Sequence, residues 1–212
     1  MTNRVIENAF VGARGTDSVQ VIDGAHAQAL KDWGMDFAIR YLGSVTSYEV
    51  DTILNADLAF MPVTFGLKHG TPLHQALGLM YGDRSSKQAK AIGIPSGATV
   101  WLDLEDCTGT AQEISAFVNA WASVVKGAGF MPGLYVGAGA VLSSAELYAL
   151  GVVRYWQSLS KEIDQRGQLA EPNCGWSMIQ LFPSVTIEGV FVDVDVIQQD
   201  YKNRVPAWVR GA

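Results

Sequence analysis

The 212-residue chain reads as an α/β protein, a single (β/α)8 TIM-like barrel with irregular seventh and eighth units. Three observations predict this. Eight short apolar runs alternate mostly with stretches of helical periodicity, and no linker or composition break divides them. Several runs turn acidic or aromatic only at their C-terminal ends, where barrels of this kind collect their chemistry. Hydrophobic residues make up 49% of the chain and charged residues 17%, enough apolar surface for a sizeable core. A doubly wound open sheet uses the same alternation, but neither G-x-G-x-x-G nor G-x-x-x-x-G-K-[ST] follows the first strand.

Residues 1–17 read as an irregular N-terminal arm, 18–200 as the barrel and 201–212 as a C-terminal tail packed on its outside. Val19–Gly24 (V-Q-V-I-D-G) is the first strand, ending in Asp23, and the helix after it closes at Gly34. Phe37–Gly43 is the second strand; a helix follows from about Ser47, with Glu49 placed for a capping box. Ala59–Gly66 is the third strand and leads into a loop with Lys68 and His69. The helical pattern over Leu73–Ile92 is expected to break into two at Gly82–Asp83–Arg84. Thr99–Glu105 is the fourth strand, and Thr110–Gly127 carries the clearest apolar stripe (Ile114, Phe117, Val118, Trp121, Val124, Val125). Met131–Gly137 is the fifth strand, Ser143–Leu150 a short helix and Val152–Ser158 the sixth strand. A polar loop is expected over Lys161–Gly175, then strand seven (Trp176–Phe182), a turn (Pro183–Gly189) and strand eight (Val190–Ile197).

The net charge of −6, with no run of Lys or Arg, argues against nucleic acid or an anionic membrane as partner. The two cysteines, Cys107 and Cys174, form no Cys-x-x-Cys, and no metal-ligand spacing is present, so neither metal nor cofactor is expected. The N-terminus has no apolar core of a signal peptide, and no run of 18 apolar residues occurs. The expectation is a chain made in the cytoplasm without a signal or a membrane span, and a monomer.

The chemistry concentrates in T-V-W-L-D-L-E-D (Thr99–Asp106). Strand alternation puts Trp101, Asp103 and Glu105 on one face. On strand eight, Phe191, Asp193 and Asp195 share a face. Barrel closure then makes Asp193 and Asp23 neighbours, with Asp103 and Glu105 on the opposite wall. The other strand ends supply Tyr41, Tyr135, Trp156 and Gln180, with His69 just beyond the third. Several acids around one mouth with aromatics between them suit a carbohydrate. Glycoside cleavage needs one protonated carboxyl and one ionised carboxylate, crowding raises the pKa of one acid, and aromatic faces take sugar rings. Plainer readings stand beside these. Asp-Gly at 23–24 is also ordinary turn chemistry able to cap the first helix, and aromatic strand residues also serve as barrel core.

These pieces resemble family 25 lysozyme-type barrels and, more closely, the related glycoside-hydrolase-like domain of the DUF1906 type. The matching segments are I-D-G, F-A-I-R-Y-L-G, A-K-A-I-G-I-P-S-G-A-T-V-W-L-D-L-E, G-F-M-P-G-L-Y-V-G, Y-W-Q-S, I-Q-L-F and V-D-V-D-V-I, over roughly residues 18–200. The resemblance implies Glu105 as general acid and Asp103 as the partner that positions the substrate N-acetyl group or stabilises the positive centre. Asp23 and Asp193 complete the acids, and Tyr41, Tyr135, Trp156, Gln180, Asp195 and His69 bind substrate. The implied activity is a peptidoglycan hydrolase of the N-acetylmuramidase kind that cleaves β-1,4 bonds, as in a phage endolysin or virion lysin, acting at the cell wall once released or exported. The alternative is a catalytically silent glycan-binding barrel of the same fold. Asp195 stands where the lysozyme pattern more often has Asn, and Asp106 and Cys107 lie outside that pattern.

Overall fold

The computed structural model describes residues 2–64, 70–159 and 170–212. Strand β1 (Arg4–Asn8) precedes eight strands that close into a barrel in chain order: β2 (Arg14–Ser18), β3 (Phe37–Tyr41), β4 (Ala59–Thr64), β5 (Thr99–Leu104), β6 (Met131–Val136), β7 (Arg154–Gln157), β8 (Met178–Ile187) and β9 (Val190–Ile197). Neighbours from β2 to β8 are parallel, whereas β9 runs antiparallel to both β8 and β2. The architecture is a closed mixed barrel with helices α1 (Gly24–Asp32), α2 (Ser47–Asn55), α3 (Gln75–Ala91), α4 (Ala111–Gly127) and α5 (Ser144–Tyr148). None of the described helices is long and apolar enough to cross a membrane.

The first barrel strand is Arg14–Ser18, at the end of the expected arm and one residue beyond it, and Val19–Gly24 is not a strand. Val19 and Val21 are exposed, while Gly15 to Ser18 are buried between β3 and β9. Gly15 is required there: a Cβ would lie 2.4 Å from the ring of Phe37, which fills the barrel interior beside it. Gly133 makes the same room for Trp101, again at 2.4 Å. Phe37, Ile39, Met61, Val63, Trp101 and Trp156 pack inside the barrel. The alternate strand residues, such as Ala38, Phe60, Leu102 and Leu134, join the helices in the larger outer core.

The barrel floor is closed by strand β10 (Ala207–Gly211), so the tail is not an outer appendage. Among the described residues β4 and β5 pair at Val63–Trp101 and Thr64–Leu102, the C-terminal end of β4 against the middle of β5. Below that point β10 pairs with β4 at Phe60, and its Ala207 N–H donates to Thr99 Oγ1. β1 then pairs along the other edge of β10. Trp208 is buried against Phe37 and Phe10, with ring centroids 5.9 and 5.6 Å away.

Helix α3 runs unbroken through Gly82. Its glycines are packing residues: a Cβ on Gly78 would sit 2.2 Å from the Phe117 carbonyl oxygen, and one on Gly82 would be 2.8 Å from Val124 Cβ. The two helices therefore touch backbone to backbone. Thr46 caps α2 by accepting from the Glu49 N–H, but the Glu49 carboxylate does not return to the cap. It is buried instead, and accepts from Arg40 Nε at 2.6 Å and from the Ile22 N–H at 2.9 Å. The expected turn at Pro183–Gly189 is also replaced. β8 continues to Ile187, and Glu188 and Gly189, both with positive φ (47° and 88°), turn it directly into β9.

Candidate active site

A cleft of about 430 Å3 opens at the C-terminal ends of the parallel strands. Its lining includes Asp17, Tyr41, Glu105, Tyr135, Gln180 and Asp193, with Leu181 and Phe182 on the rim. Because β9 is antiparallel, Asp193 lies nearer the mouth than Asp195. It pairs across from Asp17, whereas Asp195 lies between Gly15 and Gln180.

Gln180 joins the walls. Its Oε1 accepts from Tyr135 Oη at 2.8 Å and Ser158 Oγ at 3.2 Å; its Nε2 donates to Asp17 at 2.8 Å and Asp193 at 3.3 Å. Ser184 Oγ also donates to Asp193. Burial pushes the Asp17 carboxyl up to about 7, helped by the charge of Asp193 and opposed by hydrogen bonds from Gln180 and Asp195. Burial likewise raises Asp193, against the Ser184 bond. Asp103 is held well above the carboxylate range by burial and then by the charges of Glu105, Asp17 and Asp106.

Glu105 follows directly after β5 and is exposed in the cleft. Asp106, in the left-handed region (φ 46°), bends the chain there, and its N–H donates to the Ala138 carbonyl at 2.7 Å. Gly137 leaves space for the acid: a Cβ would lie 2.5 Å from Glu105 Cβ and 2.9 Å from Oε2.

Of the expected site residues, the structure brings Glu105, Asp193, Tyr41, Tyr135 and Gln180 to this cleft. Asp103 and Asp195 lie behind its lining, 4% and 0% exposed. Trp156 does not face the cleft either. It is barrel core, packed edge-on against Trp101 and Tyr135 at 5.7 and 4.6 Å, because β7 turns this position inward. Asp23 is not beside Asp193. It is the exposed N-cap of α1 and accepts from the His26 N–H at 3.0 Å, the bond that chiefly holds its carboxyl below the usual range. His69 lies outside the described residues. The place expected for Asp23 belongs to Asp17, which the sequence reading left in the arm. Its signal was a short G-T-D-S run whose strand character comes from its partners. The Cys107 thiol, pushed up to about 12 by burial and then by Asp103, Asp106 and Glu105, is a poor nucleophile. Among the described residues no cluster of His, Cys, Asp and Glu is arranged to hold a metal ion.

The model of the Rv2525c-like, glycoside hydrolase-like domain family matches residues 28–180, well over half of the chain. The chain belongs to that family. No curated protein matches it. Among solved structures, an uncharacterized protein of B. stearothermophilus is 21% identical with a TM-score of 0.69, covering 89% of this chain and 97% of that one. A family 25 glycosyl hydrolase from Bacillus anthracis is 14% identical, TM-score 0.57, over 90% and 92%. The modular autolysin LytC of Streptococcus pneumoniae, in complex with a synthetic peptidoglycan ligand, is 10% identical, TM-score 0.58, over 88% of this chain and 47% of LytC. At these identities the likeness is one of fold: a glycoside hydrolase-like barrel similar in fold to a family 25 glycosyl hydrolase. The family match stops at Gln180, so it takes in Glu105 and Asp103 but neither Asp17 nor β9.

Proposed function

We propose that this chain is a peptidoglycan hydrolase of the N-acetylmuramidase kind, cleaving a β-1,4 glycosidic bond beside an N-acetyl sugar at the cell wall. The observation that carries this reading is the meeting of carboxyls from two walls, Glu105 from one side and Asp17 with Asp193 from the other, in one cleft at the barrel mouth. Glu105, the exposed acid, donates its proton to the leaving glycosidic oxygen. The Asp17–Asp193 wall supplies the negative charge that an oxocarbenium-like centre, or the acetamide acting as internal nucleophile, requires. Gln180 holds that wall in place, and Tyr135 positions Gln180. Asp103, buried behind Glu105 with its proton affinity raised by burial and the neighbouring charges, acts through its neighbour rather than on substrate. Tyr41 and Phe182 offer ring faces to the sugars. The family 25 glycosyl hydrolase and the peptidoglycan-liganded autolysin among its fold neighbours support the substrate class.

The test compares wild type with Glu105→Gln on purified cell walls, reading both release of reducing ends and co-sedimentation. Wild type is expected to release reducing ends, and E105Q to fall by about 10²–10⁴-fold while still sedimenting with the wall. Binding by wild type without any release on walls of several chemotypes sinks the enzyme reading in favour of a glycan-binding barrel.

A further inference from the structure

Asp195 is a carboxylic acid in the interior of the barrel. It sits on β9 between Gly15 of β2 and Gln180 of β8, is 0% exposed, and faces the Trp156 indole without a well-aligned bond to it. The register Gly15–Asp195 and Asp17–Asp193 makes Asp195 the diagonal neighbour of Asp17 on the same face of the β2–β9 pair, which brings the two carboxyls together. Among the described residues the Trp156 indole N–H is the one donor aimed at it, and neither carboxyl oxygen has a partner in good hydrogen-bond geometry. Two ionised carboxylates have no hydrogen to share and repel strongly in a low-dielectric interior, so a contact between them is stable only when one carries a proton.

The groups that face this pair are Asp17 and Asp193, with Glu105 and Asp103 from β5, Tyr41 from β3 and Tyr135 from β6. Among the described residues, all of the groups facing the pair are acids or neutral. Arg40 of β3 is turned to the outer layer, where it donates to Glu49 and to the Ser18 carbonyl. Asp17 already accepts from Gln180 Nε2 and borders the cleft; Asp195 has no second outlet. The proton therefore belongs on Asp195.

We propose that Asp195 is a positioning residue whose protonated carboxyl donates a hydrogen bond to Asp17, so that the pair carries one proton and one negative charge, with the charge on the cleft side. Asp17 is then clamped between two donors, Asp195 and Gln180, on adjoining strands. The electrostatics agree: burial, then the charges of Asp17 and Asp193, hold the Asp195 proton well above the carboxylate range, while Asp17 is pushed only to about 7. The consequence for catalysis rests on the hydrolase reading; the proton's location does not.

The experiment is a carboxyl-carbon NMR titration of aspartate-labelled protein, with the Asp17 resonance assigned through Asp17→Asn, on wild type, Asp195→Asn and Asp195→Leu. In wild type, Asp17 is expected to titrate near neutrality while Asp195 stays protonated through that step. D195N keeps a donor of the same shape and is expected to leave the Asp17 step in place. D195L removes it and is expected to raise the step by about one pH unit, the tenfold change that loss of a hydrogen bond to a charged group brings. Ionisation of Asp195 below Asp17 in wild type overturns the proposal, even where D195L fails to fold. So does an Asp17 step that is the same in all three proteins. A protein that cleaves no wall yet shows the shift refutes the hydrolase reading and leaves this one standing.

Discussion

Asp17 of β2 and Asp193 of β9 face each other as an antiparallel pair, and a single amide, that of Gln180, donates to both carboxyls. One neutral side chain thus restrains two neighbouring acids; burial raises the proton affinity of both, and at Asp17 the charge of Asp193 adds to that cost.

That cost has a sign in stability. Asp17 titrates at about 7 in the native protein against 3.8 for the ordinary group, so the folded state binds more protons between those values. Its contribution is fully present below about pH 4 and lost as pH rises through 7. Asp17→Asn is expected to flatten this dependence and to gain ~1–3 kcal/mol over wild type at pH 8, while wall cleavage falls. Urea denaturation of both proteins from pH 4 to 8 measures it. A wild-type-minus-variant difference that does not change with pH contradicts the assignment.

Gly137 gives a second expectation. A methyl there collides with Glu105 Cβ at 2.5 Å, so Gly137→Ala must displace the acid. Turnover is expected to drop by ~10²-fold with a stability loss of only ~1–2 kcal/mol. Parallel rate and melting measurements separate the two effects.

Glu49→Ala strands the buried Arg40 guanidinium and the Ile22 N–H together. Removal of one partner from a buried ion pair costs about 3–5 kcal/mol, which chemical denaturation would register. A loss below 1 kcal/mol would mean that Arg40 finds water or another acceptor.

Gly78→Ala opposes two effects. Helix propensity favours alanine by about 1 kcal/mol, but its Cβ would lie 2.2 Å from the Phe117 carbonyl oxygen. The contact is expected to win, with a net loss of ~1–3 kcal/mol. A higher melting temperature for the variant would show that α3 shifts away from α4 at little cost.

Much of the barrel was legible where local pattern and final environment agree. The Thr99–Leu104 strand, its acidic end, and the helices that begin after Thr110 and Ser143 all lie where alternation and helical periodicity put them. The failures share one cause, long-range partners overriding local signal. V-Q-V-I has better strand composition than R-G-T-D-S, yet the latter is the strand because β3 and β9 flank it and Phe37 needs Gly15. Asp17 was therefore missed and its place given to Asp23, whose Asp-Gly context in fact caps a helix. Gly82 looked like a break because a sequence does not display the helix that presses on it. Trp156 looked like a sugar platform because an inward strand position reads the same at the mouth as one layer below it.

The pairing of β1 with β10 brings the described ends together at the floor of the barrel: the Ala212 N–H donates to the Asn3 carbonyl at 2.8 Å. A peptide of a few residues would close the chain into a ring, so circularly permuted versions opened in a distant surface loop are a practical engineering route. A reporter or wall-targeting module attached at either end would hang from the face opposite the cleft and leave the approach of a polymer unobstructed.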